Sequence, residues 1–370
     1  MKVNFVNLAR EAKLIENEII DATRLVLQSG NYICGKNVVS FEDNFSNFCG
    51  VNHSVSVGNG SDGLKIIMKA LGIGRGDEVI CPANSFIASA WAIIDAEATP
   101  VFCDVEDDFL VSLRTIKKCK TNRTKAIMAV HLTGKLCDTD KLLDYCKKEN
   151  IFLIEDAAQA VGAMNNRNEK AGSFGVAGSF SMHPLKNLSV YGDGGVITTN
   201  SAELAVKMKL LRNHGLVNRD EALIWGFNSR LDEMQAAFAL IKLKRLNVWN
   251  KKYIEIAQKY TIGLSNKIVK PTTKNGFIDI FHNYIILVPE EIRKDFMSSL
   301  NDFGIETKIH YPIPLHLQKC ASNLGYKRGD IPNAERLSKS MISLPIYHTL
   351  KDSEIEYVIE SVNKLVELYL

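Results

Sequence analysis

The sequence predicts an α/β protein: a mostly parallel central sheet flanked by helices, with a smaller α+β C-terminal domain. Three observations predict it. Short apolar runs alternate with stretches of helical periodicity from residue 60 to beyond residue 150. The runs are continuous rather than alternating, as strands covered on both faces require. After about residue 247 the rhythm changes, and a long helical stretch leads into a mixed segment.

The elements follow in order. Residues 13–27 read as a helix, with Leu14, Ile15, Ile19, Ile20 and Leu25 at helical spacing. A second helix starts near Asp62, runs through Leu64, Ile67, Met68 and Leu71, and stops at Gly72 and Gly74. Strands are expected at 78–82, 100–104, 126–130 and 151–156, and helices at 85–96 and 139–149. A long helix spans 230–260, a strand 281–288 and a helix 290–303. The expected division is a large domain over residues 1–249 and a small one over residues 250–370. Sheets of this kind place binding loops beyond the carboxyl ends of their strands. His131 and Asp156 stand at such ends.

Composition narrows the function. The chain has 370 residues, 46% hydrophobic and 24% charged, with a net charge of +3. That is too small a charge to call for nucleic acid or a membrane surface. Lys117, Lys118 and Lys120 read as a solvated face. The eight cysteines show no CxxC spacing, so buried reduced thiols are expected rather than disulfides or a metal site. The N-terminus lacks a secretory apolar region, and the cytoplasm is the expected location.

Three segments carry chemistry. Asn59-Gly60-Ser61-Asp62-Gly63-Leu64 opens a helix with two glycines and a serine. Free N–H groups there bind phosphate, and the plain alternative is a helix cap by Ser61. Asp156 ends an apolar strand, where it either caps a helix or partners a protonated ring nitrogen. Lys186 lies in Ser181-Met182-His183-Pro184-Leu185-Lys186-Asn187, before the Gly192-Asp193-Gly194-Gly195 turn. A lysine amine becomes nucleophilic when its surroundings lower its pKa, and the alternative is a surface lysine.

In that order, on one α/β rhythm, these segments resemble the sugar aminotransferases of the DegT/DnrJ/EryC1/StrS group, fold-type I enzymes that use pyridoxal phosphate. The likeness extends nearly end to end. It includes Glu155-Asp156-Ala157-Ala158-Gln159-Ala160, Leu211-Arg212-Asn213-His214-Gly215, Phe227-Asn228-Ser229-Arg230-Leu231-Asp232 and His310-Tyr311-Pro312. The resemblance implies that Lys186 forms the Schiff base and shuttles the proton. It implies that Asp156 holds the pyridine nitrogen, Gln159 the 3-oxygen, and Phe86 stacks on the ring. Gly60, Ser61 and Ser181 would bind phosphate, and Asn228 would reach the phosphate of a neighbouring subunit, making a homodimer with shared sites. His183, Tyr191, Arg230, Tyr311 and His316 are the implied substrate contacts. Asp62 departs from the small residue common at its place. Ser189-Val190-Tyr191 replaces small residues and would shape the acceptor pocket.

The implied reaction moves an amino group from an amino acid, most often L-glutamate, to a keto sugar. A nucleotide-linked 3- or 4-keto-6-deoxy sugar is favoured, on a route to a polysaccharide or glycoconjugate. Keto sugar acids and keto inositols are the alternatives. A sugar dehydratase of the same fold carries histidine at the lysine position, which Lys186 opposes. A regulatory protein on this scaffold would tolerate losing Lys186 or Asp156, and both are present.

Overall fold

The computed structural model describes residues 1–370. Seven strands form the main sheet: β1 (His53–Val57), β2 (Glu78–Pro82), β3 (Thr99–Cys103), β4 (Thr124–Val130), β5 (Phe152–Asp156), β6 (Ala177–Ser181) and β7 (Gly195–Thr199). Their order is β1-β7-β6-β5-β4-β2-β3. The pairings from β6 through β5, β4 and β2 to β3 are parallel, and β7 alone is reversed, antiparallel to both β1 and β6. Helices cover both faces. Ile66, Ile67 and Met68 of helix Gly60–Ala70 are buried with Val79, Ile80, Ile127 and Met128 of the sheet. Phe41 and Phe45 of helix Lys36–Cys49 pack in a second cluster that includes Phe180 and Val196.

A smaller antiparallel pair follows, β8 (Tyr284–Leu287) with β9 (Met341–Leu344). Helices Glu290–Asp302 and Asp352–Tyr369 close over it around Tyr260, Tyr284, Phe296 and Val358. The start of the chain belongs to this core. Val3 is buried there and bridges Ile305, through Val3 N–H to Gly304 C=O and Glu306 N–H to Val3 C=O, each 2.9 Å. Helix Leu246–Gly263 serves both units, with Leu246 on the sheet side and Tyr253, Ile256 and Tyr260 in the smaller core.

The structure corrects several expectations. The helix expected over 13–27 is two, Leu8–Leu14 and Glu16–Ser29, broken at Ile15 (φ −128°), whose side chain is buried. The helix expected over 230–260 is also two, Glu233–Leu243 and Leu246–Gly263. The turn tightens there, with Arg245 N–H bonded to Lys242 C=O, and Leu246 enters the core. Helix Lys36–Cys49 and strands β1, β6 and β7 had no sequence reading. Cys34 and Cys320 are exposed, against the expectation of buried thiols, although no cysteine is in a disulfide. No helix is long and apolar enough to cross a membrane.

Candidate active site

A cavity of about 470 Å³ opens at the carboxyl ends of β4, β5 and β6. Of the residues singled out from the sequence, it brings together Gly60, Ser61, Phe86, Asp156, Gln159, Ser181, His183, Lys186 and Tyr311.

One wall is the start of helix Gly60–Ala70. Asn59 is its cap, with Oδ1 accepting from Asp62 N–H at 2.8 Å, so the cap is Asn59 rather than Ser61. The first turn closes with Gly63 N–H on Asn59 C=O. The N–H groups of Gly60 and Ser61 precede that bond and have no acceptor within the helix. Gly60 must be glycine, because a Cβ there would lie 2.8 Å from Ser181 Cβ. Ser181, at the end of β6, therefore sits directly against the open helix end. The departure at position 62 has a local use. The Asp62 carboxylate accepts from Ser229 Oγ (2.7 Å) and Asn59 Nδ2 (3.1 Å), outside the cavity lining.

Strand β5 ends in two carboxylates with opposite surroundings, because adjacent strand residues face opposite ways. Glu155 is fully buried and accepts from the N–H groups of Gly172, Phe174 and Gly175 and from His131 Nε2. Asp156 faces the cavity. Its Oδ2 accepts from Ser89 Oγ at 2.6 Å and its Oδ1 from Ala158 N–H at 3.2 Å. Gln159 is fixed by two bonds, Oε1 to Thr133 N–H (2.8 Å) and Nε2 to Tyr311 Oη (3.1 Å). The Phe86 ring lies 5.7 Å from that of Tyr311.

Lys186 stands in the loop between β6 and the reversed β7. Burial pushes its amine down to about 8, and the negative charge of Asp156 opposes the shift. His310 is pushed down to about 4 and His282 well below its ordinary value, by burial and then by the charge of Lys186. Both line the cavity as neutral rings. Burial and then Asp156 push the Tyr311 phenol up, so it stays protonated.

Four implied residues lie elsewhere. His316 is buried outside the cavity, with Nε2 3.0 Å from Glu335 Oε1, which also accepts from Gly329 N–H. It is a packing residue that holds a loop, not a substrate contact of this cavity. Tyr191 turns away to pack on Phe238, with Lys242 Nζ 4.3 Å from its ring. The segment 189–191 therefore anchors the Lys186 loop and does not line the cavity. Arg230 donates to Asn213 Oδ1 and Asn228 is exposed, both outside this chain's cavity. Phe5, Asp193, His282, Asn283 and His310 line it without having been singled out. His310 adjoins Tyr311 in a motif already noted, whereas Phe5 had no sequence signal.

These groups suit a flat, phosphorylated ring with an aldehyde. The crowded glycine at an open helix end suits the phosphate, Asp156 a protonated ring nitrogen, Phe86 the ring face and Lys186 the aldehyde. The comparisons agree. The DegT/DnrJ/EryC1/StrS aminotransferase family matches residues 13–363. The chain is 41% identical over 364 residues to a dTDP-3-amino-3,6-dideoxy-alpha-D-galactopyranose transaminase of Aneurinibacillus thermoaerophilus, covering 98% of this chain and 99% of that one. It is 36% identical over 369 residues to a dTDP-3-amino-3,4,6-trideoxy-alpha-D-glucose transaminase of Streptomyces venezuelae, covering 99% and 97%. A crystal structure of S. venezuelae DesV in complex with a ketimine intermediate superposes with a TM-score of 0.96 at 35% identity, covering 99% of each chain. A fold, a cofactor-shaped cavity and a likeness that runs the length of the chain thus converge, and the protein belongs to the DegT/DnrJ/EryC1/StrS family of pyridoxal-phosphate-dependent sugar aminotransferases.

Proposed function

We propose that the protein transfers the amino group of L-glutamate to C3 of a nucleotide-linked 3-keto-6-deoxy sugar. The observation that carries this reading is the full-length likeness to two relatives whose names place the amino group at C3 of a deoxy sugar. The cavity supports it. Its wall offers neutral hydrogen-bonding groups, His282, Asn283, His310 and Tyr311. Such groups suit the hydroxyls of a sugar.

In this reading each residue has a task. Gly60 and Ser61 N–H groups and the Ser181 hydroxyl hold the phosphate. Asp156 sets its negative charge against the ring nitrogen, and Ser89 and Ala158 keep that carboxylate aimed. Phe86 covers one ring face, and Gln159 orients the ring oxygen. Bound pyridoxal phosphate supplies the electron sink that makes the substrate carbon acidic. Lys186 removes the proton from the donor's α-carbon and later delivers one to the sugar carbon.

The working form is a homodimer in which Asn228 serves the partner's phosphate. An exposed apolar face beside the cavity supports this, because such a patch in water marks a covered surface. Ile87, Trp91 and Ile94 are exposed along helix Ile87–Asp95, and Trp225 is 94% exposed. Lys65 Nζ lies 5.7 Å from the Trp91 ring and 4.4 Å from the Phe227 ring, so both segments share that face.

The test is a screen. Cofactor-loaded enzyme is bleached with glutamate, then mixed with 3-keto and 4-keto dTDP-6-deoxy sugars, and products are read by mass spectrometry. Amination of the 3-keto sugar is expected. Turnover of only the 4-keto sugar refutes the C3 assignment, and colour that no amino acid bleaches refutes the donor half of the reaction.

A further inference from the structure

One imidazole beside Lys186 has its tautomer dictated by a relay of amides. Asn250 Nδ2 donates to Val161 C=O at 2.9 Å, which turns its Oδ1 toward Asn187. Gly162 makes room for this, since a Cβ there would lie 2.7 Å from Asn250 Nδ2. Asn187 Nδ2 donates to Asn250 Oδ1 (3.2 Å) and to Ile280 C=O (3.4 Å). Flipping either amide would set oxygen against a backbone carbonyl. Asn187 Oδ1 is therefore left for His282 Nδ1, 3.1 Å away, and Nδ1 carries the hydrogen.

A neutral imidazole has a single N–H, so His282 Nε2 presents a lone pair. That nitrogen has no partner within the protein. It also differs from His316 Nδ1 and His348 Nε2, which are sealed in the interior unpaired. His282 lines the cavity with Lys186, and burial and the Lys186 charge oppose its protonation, as do His310 and His183.

We propose that His282 Nε2 is a fixed hydrogen-bond acceptor for a hydroxyl of the sugar, near the carbon that Lys186 serves, and so determines acceptor specificity. Carbonyl and carboxylate oxygens offer it nothing, because they too only accept. A hydroxyl donates, and a sugar that lacks the hydroxyl leaves the lone pair unsatisfied. The amide relay, anchored on the Val161 and Ile280 carbonyls, keeps the lone pair turned to the cavity. The assignment rests on the sugar reading above.

Two measurements test it. In ¹⁵N-histidine-labelled protein, the His282 signal, identified by its loss in His282→Gln, is expected to be the neutral Nδ1–H form. The Nε2–H form overturns the proposal. The two half-reactions are then timed separately for wild type, His282→Leu and His282→Gln. In His282→Leu, kcat/KM for the keto sugar should fall about 10- to 100-fold, while bleaching by glutamate stays within about twofold. His282→Gln, whose Oε1 restores an acceptor, should recover much of the loss. Equal losses in both half-reactions, or no loss in either, overturn the proposal. If His282→Leu fails to fold, the wild-type tautomer and the half-reactions of His282→Gln decide. A wild-type enzyme that glutamate bleaches but that aminates no keto sugar overturns the sugar reading itself, and this assignment with it.

Discussion

Two lysines sit on opposite sides of the loop 186–191, and the protein treats them oppositely. Lys186 faces the cavity, where the negative charge of Asp156 bears on its amine. Lys242 is 1% exposed in the core behind the loop. Its Nζ is 2.6 Å from Glu11 Oε1 and 2.9 Å from Ser189 Oγ, over the Tyr191 ring. Enclosure without a bonded carboxylate lowers the cost of losing a proton and makes an amine reactive. Enclosure with one makes a fastener. Ser189 and Tyr191 belong to the same loop as Lys186, so the second lysine holds in place the segment that carries the first.

The contrast can be broken by mutation. The largest effect is expected from Lys186→Ala, which should lower turnover by about 10³-fold or more with little change in thermal stability. If a dimer shares its sites, mixing it with Asn228→Ala, unfolded and refolded together, should raise activity above that of either variant alone. In a mixed dimer one site has its own Lys186 and its partner's Asn228. A mixture that stays inactive breaks the shared-site reading. Lys242→Met should do the reverse, losing about 3 kcal/mol of stability in urea while turnover of the folded enzyme stays within a few-fold. Adding Glu11→Gln should cost less than the sum of the single changes, because no unpaired carboxylate remains. Strict additivity would show that Lys242 and Glu11 are not energetically coupled. The smallest effect concerns pH. Colour formation, as cofactor is added to apoenzyme, needs the neutral amine of Lys186. Its rate should rise with pH and level off above about 8, a gain of about tenfold from pH 7 to 9. A continued rise toward the pKa of free lysine would show that Lys186 is not desolvated.

Much of this architecture was legible in the sequence, for identifiable reasons. Buried parallel strands leave continuous apolar runs, so β2 through β5 could be placed to within two residues. Asp156 was visible because a carboxylate that ends such a run needs a reason. Ser61 and Gly60 were visible because an open helix end is a local feature. What escaped depends on direction or distance. His316 had a plausible neighbourhood, but only the fold reveals that its ring points inward to Glu335. Tyr191 stands five residues beyond Lys186, yet its side chain faces Lys242. His282 sits in a strand-like run, and Asn187 and Asn250, which orient it, are distant in sequence. The break at Ile15 leaves no mark on helical periodicity, because an apolar residue at that spacing serves a helix and a bend equally well.

The bridge between Val3 and Ile305 bears on how the binding site is assembled. Phe5 and Val6, which follow Val3, line the cavity, and Phe5 lies 5.7 Å from the His310 ring. Residues 3–6 are thus held in place by a segment distant from them in sequence. The main sheet pairs without this segment, so this side of the cavity closes only when the residues around Ile305 are in place. A site built in this way ties ligand binding to the docking of two distant parts of the chain, so loosening the Val3–Ile305 bridge should weaken ligand binding before it unfolds the sheet.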